Sequence, residues 1–179
     1  MGSFIHTYSG KAFFPLAPES ADIEIRDIAH ALSMQCRFVG HCREFYSVAE
    51  HSVRVSMACA NADALTGLLH DAPEAYLHDL ASPIKQAEGM ERYREAEEVL
   101  WAAIAERFGL PAAIPNSVHR ADRLLLNTEA RDLFDKTVAW ADAGNVQPRQ
   151  IRALTSPRAA EAWFLDRFRE LDRRRKVAA

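Results

Sequence analysis

The chain is poor in cysteine. Its three, Cys36, Cys42 and Cys59, are odd in number and show no CxxC spacing. This excludes a disulfide scaffold and gives no support to a Cys-rich structural zinc site; reduced thiols serving as small core residues are expected instead. There is no Gly-rich phosphate-cradling loop and no G-x-S-x-G elbow, which removes the usual signatures of a P-loop protein and a serine hydrolase. No stretch approaches the ~20 apolar residues that a membrane helix needs. The first residues, "MGSFIHTYSGKAFF", lack a basic segment followed by a long apolar one, so a secretory leader is not expected. A cytoplasmic protein with no membrane partner is the reading. Positive charge is not in excess either: 22 Lys and Arg stand against 25 Asp and Glu, for a formal charge of −3. Stable nucleic-acid binding, which needs a basic surface, is not expected. A small phosphorylated ligand is still allowed, because one local basic group can hold it. Finally, no useful alternating strand pattern, internal repeat or low-complexity tract occurs.

What is present is helical periodicity. A length of 179 residues suits one domain spanning 1–179, with an irregular or hairpin-like lead-in over 1–22. Such a domain can bury roughly 70% of its unfolded surface and should fold without disulfides. Ile25, Ile28, Ala29 and Leu32 recur at helical spacing, with Asp22 as N-cap. Residues 35–46 lose the period and read as a loop. Ser47 and Glu50 form a capping box, opening a helix with Val48, His51, Val55, Ala58 and Cys59 on one broad face. "DALTGLLHD" is a short helix ended by Pro73, and Ser82 with Pro83 starts another. A long helix over 90–108 turns Val99, Leu100, Ala103, Ile104 and Phe108 inward and closes at Gly109. Helices over 116–134 and from Ser156-Pro157 onward follow, the last with Trp163, Phe164 and Phe168 facing in. The expected fold is all-α, with about six to eight helices.

Four polar placements interrupt these apolar stripes. His51 lies beside Val48 and Val55, His70 and Asp71 directly follow Leu68 and Leu69, and Asp122 precedes three leucines. A polar group taken out of water is costly unless something satisfies it. Two imidazoles and two carboxylates form a mixed N/O ligand set, which a divalent ion satisfies. Adjacent helical residues point about 100° apart, so His70 and Asp71 share one ion only where the helix distorts or ends. Pro73 is consistent with such a break.

The order His51, His70-Asp71, Asp122 resembles the H…HD…D signature of the HD-domain phosphohydrolase superfamily. The blocks "SVAEHSVRVSM", "LLHDAPEAYLHDLASPIK" and "ADRLLLNTEA" resemble its YfbR/YfdR-like 5′-deoxynucleotidase branch, and the similarity runs over roughly residues 23–140. The resemblance implies metal ligands at His51, His70, Asp71 and Asp122, holding one ion of Co, Mn, Zn, Mg, Fe or Ni. It implies a general acid/base or water-positioning role for Glu74, and a sugar contact that supports catalysis for Asp79. Arg37 matches the phosphate-binding arginine, and Lys85 adds charge at the phosphate. Phe38 stands where several relatives carry Trp, which leaves open how a 2′-hydroxyl is excluded. His41, in the loop between Arg37 and His51, is a further substrate or leaving-group contact.

The implied reaction is hydrolysis of a deoxynucleoside 5′-monophosphate to deoxynucleoside and phosphate. The alternatives are a dNTP triphosphohydrolase releasing triphosphate, a nucleotide phosphodiesterase, and a catalytically silent nucleotide-binding module. The expected partners are a small nucleotide substrate and further copies of the same chain, as a dimer or larger assembly.

Overall fold

The computed structural model describes residues 3–178; Met1 and Gly2 of the expected lead-in, and Ala179, lie outside them. The lead-in is a small hairpin. Strands β1 (Ile5–His6) and β2 (Ala12–Phe13) pair antiparallel with Ile5 opposite Phe13. Phe13 is buried and stacks on Tyr76 at 4.2 Å between centroids, so the hairpin is fastened to the helical body by an aromatic contact as well as by hydrogen bonds.

Helix α1 (Ile25–Met34) buries Ile28, Ala29 and Leu32 of the stripe that its spacing predicts, with Ile25 partly buried against the same core. Asp22 does not cap it. It ends a separate turn over Ser20–Asp22, and Glu24 holds the N-cap position without a side-chain bond. The acid that matters in α1 is Asp27, whose carboxylate accepts from Ser9 N (2.6 Å) and Ser9 Oγ (2.8 Å), stitching hairpin to helix.

Helix α2 (Val48–Ala58) is the central element and packs against α1, α3, α7 and α8. Its cap is half of the predicted box. Ser47 Oγ accepts from Glu50 N at 3.1 Å, a bond of about 1 kcal/mol. Glu50 does not reach back; its carboxylate takes Arg54 Nη2 at 2.5 Å and Leu154 N at 2.9 Å. The apolar face is also broader than a stripe. Val48, Ala49, Val53 and Val55 are all fully buried, because neighbours cover the helix on several sides.

Then come α3 (Ala64–Leu69), α4 (Glu74–Leu77), α5 (Ser82–Lys85), α6 (Glu91–Phe108), α7 (Asn116–Leu133) and α8 (Pro157–Ala178). In α5 the N-cap position falls to Ala81, with Ser82 already inside the helix. Gly109 ends α6 in the left-handed region at φ 62°, the conformation glycine adopts without a Cβ penalty. The α6 stripe is narrower than predicted: Leu100, Ala103 and Ile104 are buried, whereas Val99 is 52% exposed. Phe164 on α8 is fully buried, with Trp163 and Phe168 packed partly against the core. The three cysteines are half-buried free thiols rather than core residues.

The architecture is thus mostly helical. No helix among the described residues is long and apolar enough to cross a membrane. Two apolar clusters form. The larger joins α1, α3, α6 and α8 to one side of α2; the smaller groups Tyr46, Val55, Val118, Leu125 and Leu133 around α7. Burying a leucine or valine in either contributes roughly 1.5–3 kcal/mol. The functional side chains lie along the seam that α2 shares with α3 and α7.

Candidate metal centre

The corner between α3 and α4 shows how adjacent residues come to serve one site. Pro73 has no N–H to give to the carbonyl of Leu69, which Ala72 N takes instead at 2.9 Å; Glu74 N then bonds Asp71 O at 3.0 Å. The α-helical ladder gives way to tighter i to i+3 bonds, and the chain turns. His70 Nε2 and Asp71 Oδ1 meet at 3.2 Å.

Two long-range contacts complete the set. From α2, His51 Nε2 lies 3.1 Å from Asp122 Oδ1 and 3.6 Å from Asp71 Oδ2. Asp122, on the second turn of α7, also comes within 3.9 Å of His70 Nε2. His51, His70 and Asp71 each offer a ligand atom, all within 4.8 Å of one another, and so can hold a metal ion. Asp122 joins them through its contacts to both imidazoles. Its side chain is 40% exposed, against 0% for His51 and 8% for His70, so it forms the open rim of the site.

Tautomers are set by what each ring's other nitrogen touches. His70 Nδ1 lies 2.9 Å from the carbonyl of Gly67, which can only accept, so Nδ1 donates. His51 Nδ1 donates to Glu129 Oε1 at 2.6 Å. Among the described residues, each Nε2 is buried with no hydrogen-bond partner. Two unpartnered imidazole nitrogens aimed at two carboxylates fit a cation, and the carboxylate or carbonyl behind each ring fixes its orientation as in known histidine–metal sites.

The metal-free electrostatics agree. Burial and Arg37 both pull His51 down, but Glu129 and Asp122 outweigh them and hold it up at about 10. Burial pushes Asp122 up, but the imidazoles of His51 and His70 beside it hold it well below the usual carboxylate range. Without a metal, a proton is favoured at the place where a divalent ion would stand, and an ion bound there would displace it.

Around this set stand the remaining predicted residues. Glu74 is 8% exposed, its Oε2 has no partner, and its Oε1 is 3.6 Å from Lys85 Nζ. Burial, then Asp71 and Asp79, push its carboxyl well above the ordinary range. Lys85 is held more closely by Glu97 of α6, at 2.6 Å. Burial disfavours the charged form of Arg37, but Glu129, Asp71 and Asp122 more than offset it and keep the guanidinium charged. Its Nε bonds Glu129 Oε2 at 3.2 Å, and its Nη1 lies 3.7 Å from Asp71 Oδ2. Asp79 is half-buried, and its backbone N–H donates to Gln35 Oε1 at 2.9 Å. Phe38 lies under the Arg37 guanidinium, edge-on to Phe134 at 5.1 Å and stacked with Trp140 at 6.4 Å. His41 stands apart from this group; it lines a second groove with Arg43, Phe134 and Lys136.

A cavity of about 630 Å³ opens from His70 and Asp71 past Glu74 and Lys85 to Trp101 and His119. Trp101 is fixed as a wall by its Nε1–H bond to the Ala112 carbonyl at 2.9 Å.

Three important residues escaped the sequence reading. Glu129 is fully buried and accepts from His51, from Arg37 and from Tyr46 Oη (2.8 Å). Its signal was its position seven residues after Asp122, two turns along the same helix face. Gln35 bridges the corner, donating to Glu74 O at 3.0 Å while accepting from Asp79 N. Glu97 anchors Lys85. Neither Gln35 nor Glu97 has a local pattern that marks it.

The chain matches no family model. YfdR of Escherichia coli (strain K12), an uncharacterized protein, is 38% identical over 179 residues, covering 98% of this chain and 99% of that protein. The uncharacterized protein RCAP_rcc00048 of Rhodobacter capsulatus is 39% identical over 161 residues, 82% of each.

Proposed function

This chain belongs to the YfdR family, and from its constellation of side chains we propose that it is a divalent-metal-dependent phosphohydrolase acting on deoxynucleoside 5′-monophosphates. One observation carries the reading: two buried imidazole Nε2 atoms without partners converge on Asp71 and Asp122 beside a buried acid, Glu74, that faces an open cavity. The monophosphate and deoxyribose specificity rests on the motif resemblance alone.

His51, His70, Asp71 and Asp122 would hold the ion. An ion held there would supply Lewis-acid charge for the phosphoryl group and would acidify water. The rest is the work of this chain's own residues. Arg37 presents a charged guanidinium at the edge of the ligand set, fit to bind phosphate oxygens. Glu74, held toward its protonated form by burial and by Asp71 and Asp79, can orient water at Oε2, give its proton to the departing 5′-oxygen, and take up the proton that the attacking water loses. Lys85, clasped by Glu97, keeps a positive charge beside Glu74. Gln35 holds both ends of the segment carrying Glu74 and Asp79, so that these acids keep their spacing. Hydrolysis then needs no covalent nucleophile from the protein.

The test is a product assay over dNMPs, NMPs and dNTPs, each with Mg, Mn, Co and Zn. Release of inorganic phosphate from dNMPs is expected. Triphosphate released from dNTPs would move the reading to a triphosphohydrolase. Metal-loaded protein that turns over none of these substrates would refute the hydrolase reading.

A further inference from the structure

Cys36 and Cys42 take no part in the candidate metal centre, yet they bracket the turn that supplies Arg37 and Phe38 to it. Their Sγ atoms lie 3.6 Å apart. The turn between them is strained: Phe38 (φ 56°) and Val39 (φ 54°) occupy the left-handed region in succession. That conformation is unfavourable for any side chain with a Cβ, and most of all for a β-branched one.

Backbone pins on both flanks hold the thiols against each other. Arg37 N donates to Tyr46 O at 2.9 Å, His41 N to Phe38 O at 3.0 Å, and Arg43 N to Leu133 O at 2.9 Å. Cys36 itself forms an isolated antiparallel bridge with Ser47. The two sulfurs are therefore juxtaposed by a turn tied to α2 and α7, and both are half-buried free thiols.

We propose that Cys36 and Cys42 are a reversible disulfide site, oxidised by a peroxide, that covalently closes the turn carrying Arg37. The two thiols give up two protons and two electrons as the S–S bond forms. Hydrogen peroxide accepts both, its O–O bond breaks, and it leaves as two waters. A disulfide is about 2.05 Å long, so the sulfurs need to approach by roughly 1.5 Å, which is within the reach of side-chain rotation and a small shift of the turn. Burial and the contact with Cys36 push the Cys42 thiol up to about 11. Little Cys42 thiolate is therefore present at neutral pH, which favours sustained over brief oxidant. Cys59 is pushed up to about 11 as well but has no second thiol near it; geometry, not acidity, separates the pair from the singleton.

The functional consequence rests on the hydrolase reading; the disulfide itself does not. Arg37 reaches Glu129 and Asp71 from this turn. Drawing the flanks together shifts the guanidinium, and displacements near 1 Å can cost about 10²-fold in rate.

The experiment treats the full-length, metal-loaded protein with hydrogen peroxide for hours, blocks remaining thiols by alkylation, and measures intact mass and cross-linked peptides. The expected product carries one alkyl group, on Cys59, where the reduced control carries three; apart from that group it is about 2 Da lighter than the untreated chain, for the two hydrogens lost, and it yields a Cys36–Cys42 peptide. Cys59→Ser should behave identically, while Cys36→Ser and Cys42→Ser should form no intramolecular link. Three alkylatable thiols after treatment, oxygen added to sulfur without a link, or a link through Cys59 would overturn the site. Phosphate release from dNMPs should fall at least about tenfold on oxidation, recover with dithiothreitol, and stay unaffected in Cys36→Ser. A disulfide that forms without changing turnover would overturn the regulatory consequence and leave the site standing. A protein with no turnover in either state would count against the hydrolase reading, while the mass result still decides the disulfide.

Discussion

The two histidines of the site are held in opposite ways. His70 belongs to a corner made of consecutive residues, and its ring is oriented by a carbonyl three positions earlier, that of Gly67. His51 belongs to a seam between helices, and its ring is oriented by a carboxylate 78 residues away, that of Glu129. The corner is a backbone device: a proline removes one donor, the ladder tightens, and His70, Asp71 and Glu74 emerge from a single bend. The seam is a packing device. It exists only while α2 and α7 stay in contact, and it concentrates a buried anion, a buried cation and a tyrosine around one ring. Damage to the corner should remove chemistry directly, and damage to the seam should act through orientation and charge.

The largest effect should come from the corner. His70→Ala removes a ligand and should abolish bound metal, with turnover on the best dNMP falling by about 10³-fold or more. Metal analysis of the purified protein, beside circular dichroism to confirm its helices, decides this. Retained metal would mean that the corner is not the ion's main support.

Next is Glu74→Gln, which keeps size and removes the titratable proton. Turnover should drop by about 10²–10⁴-fold with metal content unchanged and KM little altered. Full activity would remove Glu74 from its acid/base role.

The seam should respond more mildly. Glu129→Gln keeps an acceptor for the His51 Nδ1 proton but deletes the charge that also faces Arg37. Metal affinity should weaken by about 10–100-fold, measured by competition with a chelator. A loss as severe as that of His70→Ala would show that Glu129 sustains the fold and not the ring's orientation alone.

The smallest effect is a pH slope in the metal-free protein. His51 has an ordinary value of 6.5 and is raised to about 10 in the fold. A group raised on folding contributes stability that is complete below its unfolded value and is lost as pH climbs through its folded value. The melting temperature of metal-free protein should therefore fall by a few degrees between pH 6.5 and 10. The slope should flatten when metal replaces the proton, and flatten in part in His51→Gln, because burial pulls His70 down but Asp71 and Asp122 outweigh it and raise that ring as well. An unchanged slope in His51→Gln would assign the titration to another group.

Much of the corner was legible in the primary structure because its causes are local. Pro73 two residues after Asp71, leucines just before His70, and Ser47 three residues before Glu50 are short-range facts with short-range consequences. Even there, neighbours intervened: Glu50 abandoned its half of the capping box for Arg54 and the backbone of Leu154. The seam was half legible. His51 and Asp122 stood out as polar residues against apolar stripes, whereas Glu129 resembled any helix glutamate until its burial was seen. Gln35, Glu97 and the facing thiols had no pattern to betray them, because each owes its role to a partner brought in by folding.

The amino-acid order alone determined the helical class, the bend at Pro73 and the four polar groups set against apolar stripes, His51, His70, Asp71 and Asp122, since periodicity, a missing N–H and donor chemistry are properties of residues and their near neighbours. The packing of α2 between α3 and α7 decided that those four groups meet, which nitrogen of each imidazole is bare, and which buried carboxylate stands behind His51. Those outcomes depend on distances between residues remote in the chain, and only the folded backbone sets them.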